Sequence, residues 1–233
     1  MNLNIQGKKA LVTGGRQGIG KAIADGLRDE GVEVFTTSRK DGFDLMDENG
    51  PNKVFQTFKD IDILVNNAGS TFEISDPYCP ISDWRKLLRL NLEVPIELSN
   101  LYLPCMKQKG WGRIVNISSV AGKENNGPVP FCTSKAALVA YTHCMGRVLA
   151  TEGENIIMTA VLPGVILTDE GHWKNLLETD PNRVNQYIKE RVPLGRLGTP
   201  DEIAPTVVYL CSQQAKFSHG GIFPADAGVM KQF

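Results

Sequence analysis

Short, mostly apolar runs recur along this chain, and longer amphipathic stretches separate them. The runs Ala10 to Val12, Val32 to Phe35, Ile61 to Val65, Arg113 to Ile117 and Ile156 to Leu162 read as strands, and helical periods fill the intervals. Strands apolar on both faces must be covered on both faces, and parallel neighbours need long crossovers. The pattern therefore predicts an α/β fold, a single doubly wound parallel sheet with helices on each side. Such a sheet takes ligands beyond the carboxyl ends of its strands. The turns rich in glycine and asparagine fall there: Gly14 after the first strand, Asn67 after the fourth, Ser119 after the fifth and Pro163 after the sixth. That count includes a third strand ending near Asp44. Only Ser38 to Phe43 separate it from the end of the second strand near Thr37, too few residues for a crossover helix, so that helix is expected to be absent.

At 233 residues the chain can build one sizeable core, and a single domain over 1–233 is expected. A formal net charge of -1 gives no general attraction to nucleic acid or to an anionic membrane, which leaves a small molecule as the expected partner. The five cysteines include no C-x-x-C pair, so they predict neither a disulfide framework nor a zinc site. No metal is expected, and reduced thiols point to the cytoplasm. The segment Met1 to Lys9 is polar and has no apolar run of the length of a signal peptide or membrane span.

Thr13-Gly14-Gly15-Arg16-Gln17-Gly18-Ile19-Gly20 joins the first strand to a helix predicted to reach about Asp29. Glycines let a backbone turn tightly and approach a pyrophosphate, which the free N–H groups and dipole of the helix N-terminus then stabilise. Following a strand, opening a helix and echoed by Asn66-Asn67-Ala68-Gly69, the motif predicts dinucleotide binding through Gly14, Arg16, Gln17, Gly18, Ile19 and Gly20. The second strand ends in Thr36-Thr37-Ser38-Arg39-Lys40, with no acid before Asp41. A carboxylate at that end would bond the ribose hydroxyls of NAD, whereas arginine accommodates the 2'-phosphate of NADP. Ser38, Arg39 and Arg16 therefore favour NADP(H) over NAD(H).

Taken together, TGGRQGIG, NNAG, Asn91, the run NISS at 116–119, Lys135 and Pro163-Gly164 make the chain resemble the short-chain dehydrogenase/reductase family over its whole length, in a branch like the 3-oxoacyl-ACP reductases. The resemblance implies a Rossmann fold and an NAD(P)-dependent oxidoreductase that interconverts carbonyl and alcohol. It places Asp44 and Leu45 near adenine, Asn67, Ala68 and Gly69 along the cofactor, and Pro163, Gly164, Val165 and Thr168 near its carboxamide end. It also implies a catalytic tetrad of asparagine, serine, tyrosine and lysine. Asn91 and Lys135 match the outer members. Either Ser118 or Ser119 fits the serine; the register of the following Val-Ala-Gly selects Ser119. At the tyrosine position stands Phe131.

That substitution matters chemically. Carbonyl reduction needs a hydride on carbon and a proton on oxygen, and a phenol beside a cationic lysine can give that proton. Phe131 has no proton to give, although four residues on one helical face still pair it with Lys135. Impaired turnover with intact cofactor binding is expected. Tyr141, about 15 Å along the same helix, is too far to substitute; Tyr102 and Tyr187 depend on the fold. Three readings stand: a phenylalanine introduced into a parental enzyme, a natural enzyme with another proton source such as water held by Lys135 and Asn91, or a redox-silent NADP-binding sensor or regulatory subunit. Residues 165–199 are expected to form a substrate lid, whose polar start at 168–175 suits a sugar or sugar nucleotide stacked on Trp173. Apolar residues on several faces of the helices around 84–109 and 131–152, Leu98 and Tyr141 among them, together with the resemblance, predict a homodimer or homotetramer.

Overall fold

The computed structural model describes residues 2–153 and 155–231; Met1, Glu154, Gln232 and Phe233, part of the expected span 1–233, lie outside the described residues. The chain begins with β1 (Lys9–Thr13), α1 (Gly18–Asp29) and β2 (Glu33–Thr37), followed by α2 (Gly50–Thr57), β3 (Ile63–Asn66), α3 (Ile81–Leu88), α4 (Val94–Lys109) and β4 (Gly112–Ile117). Then come α5 (Val129–Thr151), β5 (Ile156–Pro163), α6 (His172–Thr179), α7 (Pro181–Arg191), α8 (Pro200–Leu210) and β6 (Ile222–Ala225). All six strands are parallel, in the order β2-β1-β3-β4-β5-β6.

Side-chain alternation splits the strands between two cores. Ala10, Val12, Ile63, Val65 and Val115 face one layer, closed by Ile23 and Leu27 of α1 and Val207 of α8. Leu11, Leu64 and Ile114 face the other, closed by Val54 of α2, Leu98 and Tyr102 of α4 and Leu149 of α5. Leu98 is thus fully buried within the subunit, and Tyr141 packs against the same layer, which accounts for much of the apolar character that sequence alone assigns to a subunit contact.

The expected third strand ending at Asp44 is absent. In its place a single 3-10 turn, Arg39–Asp41, follows β2, and the chain reverses through Gly42 toward α2. The expected absence of a helix there is thus part of a larger deletion: strand and crossover are missing together. Three residues of turn cannot carry the chain back for another parallel pairing, so β2 becomes the sheet edge. Phe58 packs over it, between Phe35 of β2 and Phe43, with its ring centroid 5.2 Å from each. The turns at Asn67, Ser119 and Pro163 accordingly lie at the ends of β3, β4 and β5. The last strand, β6, escapes the sequence pattern because it is short, half-exposed and contains Pro224, which only a sheet edge tolerates.

Candidate active site

The carboxyl ends of β1, β3, β4 and β5 bring most of the expected residues into one crevice. At β1, the Thr13 hydroxyl accepts hydrogen bonds from the backbone N–H groups of Asn67 and Ala68, both at 3.0 Å. Asn67 Nδ2 in turn donates to the carbonyls of Thr13 at 2.9 Å and Gly14 at 3.3 Å. This lacing fixes the glycine turn against the end of β3. It also explains Gly20, where a Cβ would collide with Asn67 Nδ2 and the Gly14 carbonyl. No side chain caps the N-terminus of α1 at Gln17, so its first N–H groups remain available to an anion. Ile19 packs into the core behind the turn. Thr168, from the start of the lid segment, lies over Gly18, its Cγ2 3.1 Å from where a Cβ would stand.

On the adenosine side, Ser38 leaves β2 extended, and Arg39 is exposed with no ion-pair partner among the described residues. Arg16 is paired instead with Asp41 at 2.5 Å. The Asp44 carboxylate bonds the N–H of Met46 at 2.9 Å, and Leu45 is buried in the core. Both are thus held by local structure.

The chemical end of the crevice is built around Gly69. A Cβ there would lie 2.9 Å from Asn91 Oδ1 and 3.1 Å from Lys135 Nζ, so only glycine lets the two side chains converge. Asn91 is fully buried in a π-helical turn, Arg89–Glu93, between α3 and α4. Its amide bonds the backbone of Ser70 in both directions, at 3.1 and 2.9 Å, which fixes its orientation. Turns of this kind recur at functional positions. Lys135, 5 % exposed on α5, donates to the Ile117 carbonyl at 2.9 Å. Burial pulls its pKa down to about 8. Its Nζ lies 5.9 Å from the centroid of the Phe131 ring, one helical turn earlier.

The two serines diverge. Ser118 is buried and gives its proton to the Lys135 carbonyl at 3.0 Å. Ser119 is half-buried and accepts from the Ala121 N–H at 3.1 Å, capping the 3-10 turn Val120–Gly122 and leaving its own proton uncommitted. Pro163 ends β5, Gly164 donates to the Ala225 carbonyl, and Val165 is buried under the lid helices with Val120 and Val192.

Tyr102 lies in the core and donates to the Phe58 carbonyl at 2.8 Å, which removes it from the crevice. Tyr187, on α7, donates to Asn126 Oδ1 at 2.6 Å, and its ring packs 4.7 Å from that of Trp173. Trp173 is therefore held within the lid's own packing rather than presented alone to a ligand. Sequence reading passed over Thr13, whose signal was its place as the last strand residue before the glycine turn. It also passed over a cavity of about 300 Å³ between α7 and residues 125–127, lined by Asn126, Arg183, Gln186, Tyr187, Glu190 and Arg191. A Cβ at Gly127, on the cavity wall, would lie 3.7 Å from Phe131 Cδ1.

A family model described as enoyl-(acyl carrier protein) reductase matches residues 44–230. The 3-oxoacyl-[acyl-carrier-protein] reductase FabG of Aquifex aeolicus is 35% identical over 98% of this chain and 100% of its own. Among solved structures, L-sorbose reductase from Gluconobacter frateurii, complexed with NADPH and L-sorbose, superposes with a TM-score of 0.88 at 26% identity, covering 100% of both chains. A candidate NAD(P)-dependent gluconate 5-dehydrogenase from Beutenbergia cavernae superposes with a TM-score of 0.89 at 28% identity, also over 100% of both. With its six-stranded parallel sheet, laced glycine turn and near-complete coverage by these relatives, the chain belongs to the short-chain dehydrogenase/reductase family of oxidoreductases.

Proposed function

We propose that this chain interconverts a carbonyl and an alcohol on a polar substrate of the sugar or sugar-acid class, with NADP(H) as hydride carrier, and that Phe131 keeps its turnover low. The observation that carries the reading is the convergence of Asn91 and Lys135 on Gly69, beside a glycine turn laced to Asn67. The residues present fit a dinucleotide: α1 offers uncapped N–H groups, and Gly20 lets the glycine turn close against Asn67. When bound, the nicotinamide supplies or accepts the hydride. Arg16, Ser38 and Arg39 hold the adenosine end, Thr168 lies toward the turn, and Lys135 stands as an ammonium below about pH 8. Ser119 is the serine that hydrogen-bonds the substrate oxygen, because Ser118 has already given its proton to the α5 backbone. With no phenol at 131, the proton on that oxygen comes from water ordered by Lys135 and Asn91.

A polar substrate is supported by the cavity whose wall at Gly127 lies next to Phe131. Neither Arg183 nor Arg191 forms an ion pair among the described residues, and with Asn126 they offer donors suited to hydroxyl groups, beside a Glu190 carboxylate that accepts from Gln186 Nε2 at 2.9 Å. The structural relative complexed with L-sorbose points the same way. A dimer or tetramer through α4 and α5, in the cytoplasm, completes the reading; Val129 and Val148 of α5 are about half exposed, and size-exclusion chromatography with light scattering tests the assembly.

The deciding experiment compares the chain with its Phe131→Tyr variant on keto-sugars, keto-sugar acids and a 3-oxoacyl thioester, following NADPH. Restoring the acid should raise kcat by roughly 10² to 10⁴ on the sugar-type substrates, with NADPH affinity changed by less than about twofold. No gain on any substrate overturns the reading; a gain confined to the thioester overturns its substrate class.

A further inference from the structure

The missing strand after β2 changes more than the sheet edge. Because the chain turns at once through the 3-10 turn Arg39–Asp41, Asp41 comes back over the glycine turn, a place that a longer excursion would not bring it to. There Asp41 Oδ1 lies 2.5 Å from Arg16 Nη2, and Asp41 Oδ2 accepts the Ser38 hydroxyl at 2.7 Å. The turn is anchored behind it: the Asp41 N–H donates to the Ser38 carbonyl at 3.0 Å, and Lys53 Nζ donates to the Gly42 carbonyl at 2.9 Å. Arg16 and Ser38 are two of the three groups read above as the receptor for the 2'-phosphate. Both already hold an anion supplied by the chain itself.

We propose that Asp41 is the specificity-determining residue of the adenosine site, a built-in carboxylate that takes the place of the 2'-phosphate between Arg16 and Ser38. Binding NADP(H) then exchanges one anion for another on Arg16, and the displaced carboxylate stays close to the incoming dianion. Binding NAD(H) requires no displacement, since the carboxylate can accept from a ribose hydroxyl. The consequence is a compressed preference: the exposed Arg39 still draws the phosphate, while Asp41 opposes it. The inference rests on the cofactor reading above and deepens it.

Nucleotide fragments isolate this end of the cofactor from catalysis. Calorimetric affinities for 2',5'-ADP and for ADP are measured on the chain, on Asp41→Asn, which keeps an oxygen for Ser38, and on Arg16→Met, with melting curves to confirm folding. Asp41→Asn should tighten 2',5'-ADP by roughly tenfold, the effect of one unit charge about 5 Å away under surface screening, and leave ADP unchanged or weaker. Arg16→Met should weaken 2',5'-ADP more than ADP, leaving only the discrimination that Arg39 contributes. If the ratio is the same in the chain and in Asp41→Asn, or if 2',5'-ADP weakens in the variant, Asp41 does not compete with the phosphate and the inference falls while nucleotide binding stands. If the unaltered chain binds neither fragment, the cofactor reading itself is overturned and Asp41 with it.

Discussion

The strand β4 meets a buried cation at each end, its own Arg113 at the amino end and Lys135 of α5 at the carboxyl end, and neither has a carboxylate partner among the described residues. At the amino end, Arg113 is fully buried and its guanidinium makes five hydrogen bonds: to the carbonyls of Ser212 at 2.8 Å, Gly112 at 2.8 Å and Asn155 at 3.0 Å, and to Asn155 Oδ1 at 3.1 Å and Gln213 Oε1 at 3.4 Å. Its plane also lies over Trp111, at 4.5 Å. At the carboxyl end, Lys135 makes one hydrogen bond, to the Ile117 carbonyl, and faces an aromatic ring that offers it no acceptor oxygen. Burial lowers both pKa values, Arg113 to about 10 and Lys135 to about 8. A buried charge whose donors are all engaged ties elements together; one with donors left over is set up for a ligand. Arg113 is thus held for cohesion, while Lys135 suits the chemical role proposed for it.

The largest effect that would sharpen this contrast is catalytic. In the Phe131→Tyr background, Lys135→Met should lower kcat by roughly 10² to 10⁴, because the restored phenol loses the cation that makes it acidic, while melting temperature stays level or rises. A kcat unchanged by Lys135→Met would place the proton chemistry elsewhere. The converse substitution at the other end is structural. Arg113→Met removes the donors for five bonds and leaves their acceptors buried, a cost of about 3–5 kcal/mol in stability, with kcat unaffected. Denaturant unfolding reads the first and steady-state kinetics the second. A loss of activity at full stability would erase the distinction between the two ends.

These two ends also differ in how far sequence disclosed them. The glycine turn, α1 up to Asp29 and the pairing of Phe131 with Lys135 were legible because each is carried by a local pattern: glycines at a strand-to-helix junction, or one helical turn on one face. Arg113 was not, since five acceptors drawn from Gly112, Asn155, Ser212 and Gln213 meet only after β4, β5 and the segment beyond α8 have packed. For the same reason the Arg16–Asp41 pair was invisible. In sequence Asp41 stands beyond a strand end that reads as basic, and only the lost strand folds it back. The phantom strand at Asp44 came from counting a third strand where the chain itself offers three residues of turn. Tyr187, an equal candidate with Tyr102 in sequence, was separated from it by tertiary structure alone.

The smallest predicted effect tests the comparison most directly, because it asks both cations the same question. Lys135 titrates near pH 8 when folded and at 10.5 by its ordinary value. Between those limits the unfolded chain binds a proton at this site that the native chain does not, so native stability rises with pH across that window. Below about pH 8 the full burial penalty is present. The stability difference between the chain and Lys135→Met should therefore be flat up to about pH 8 and then shift in favour of the chain by up to about 3 kcal/mol near pH 10.5. For Arg113 the window opens only near pH 10, below its ordinary 12.5, so the difference between the chain and Arg113→Met should stay constant from pH 6 to 9.5, to within about 0.5 kcal/mol. Urea unfolding at half-unit intervals resolves the two curves. A flat curve for Lys135 would mean that its ammonium is solvated well enough to carry no burial penalty, and the carboxyl end of β4 would then hold an ordinary hydrated lysine. A curve for Arg113 that bends near pH 8 would mean that five hydrogen bonds do not hold its charge, and the two ends would no longer differ in kind.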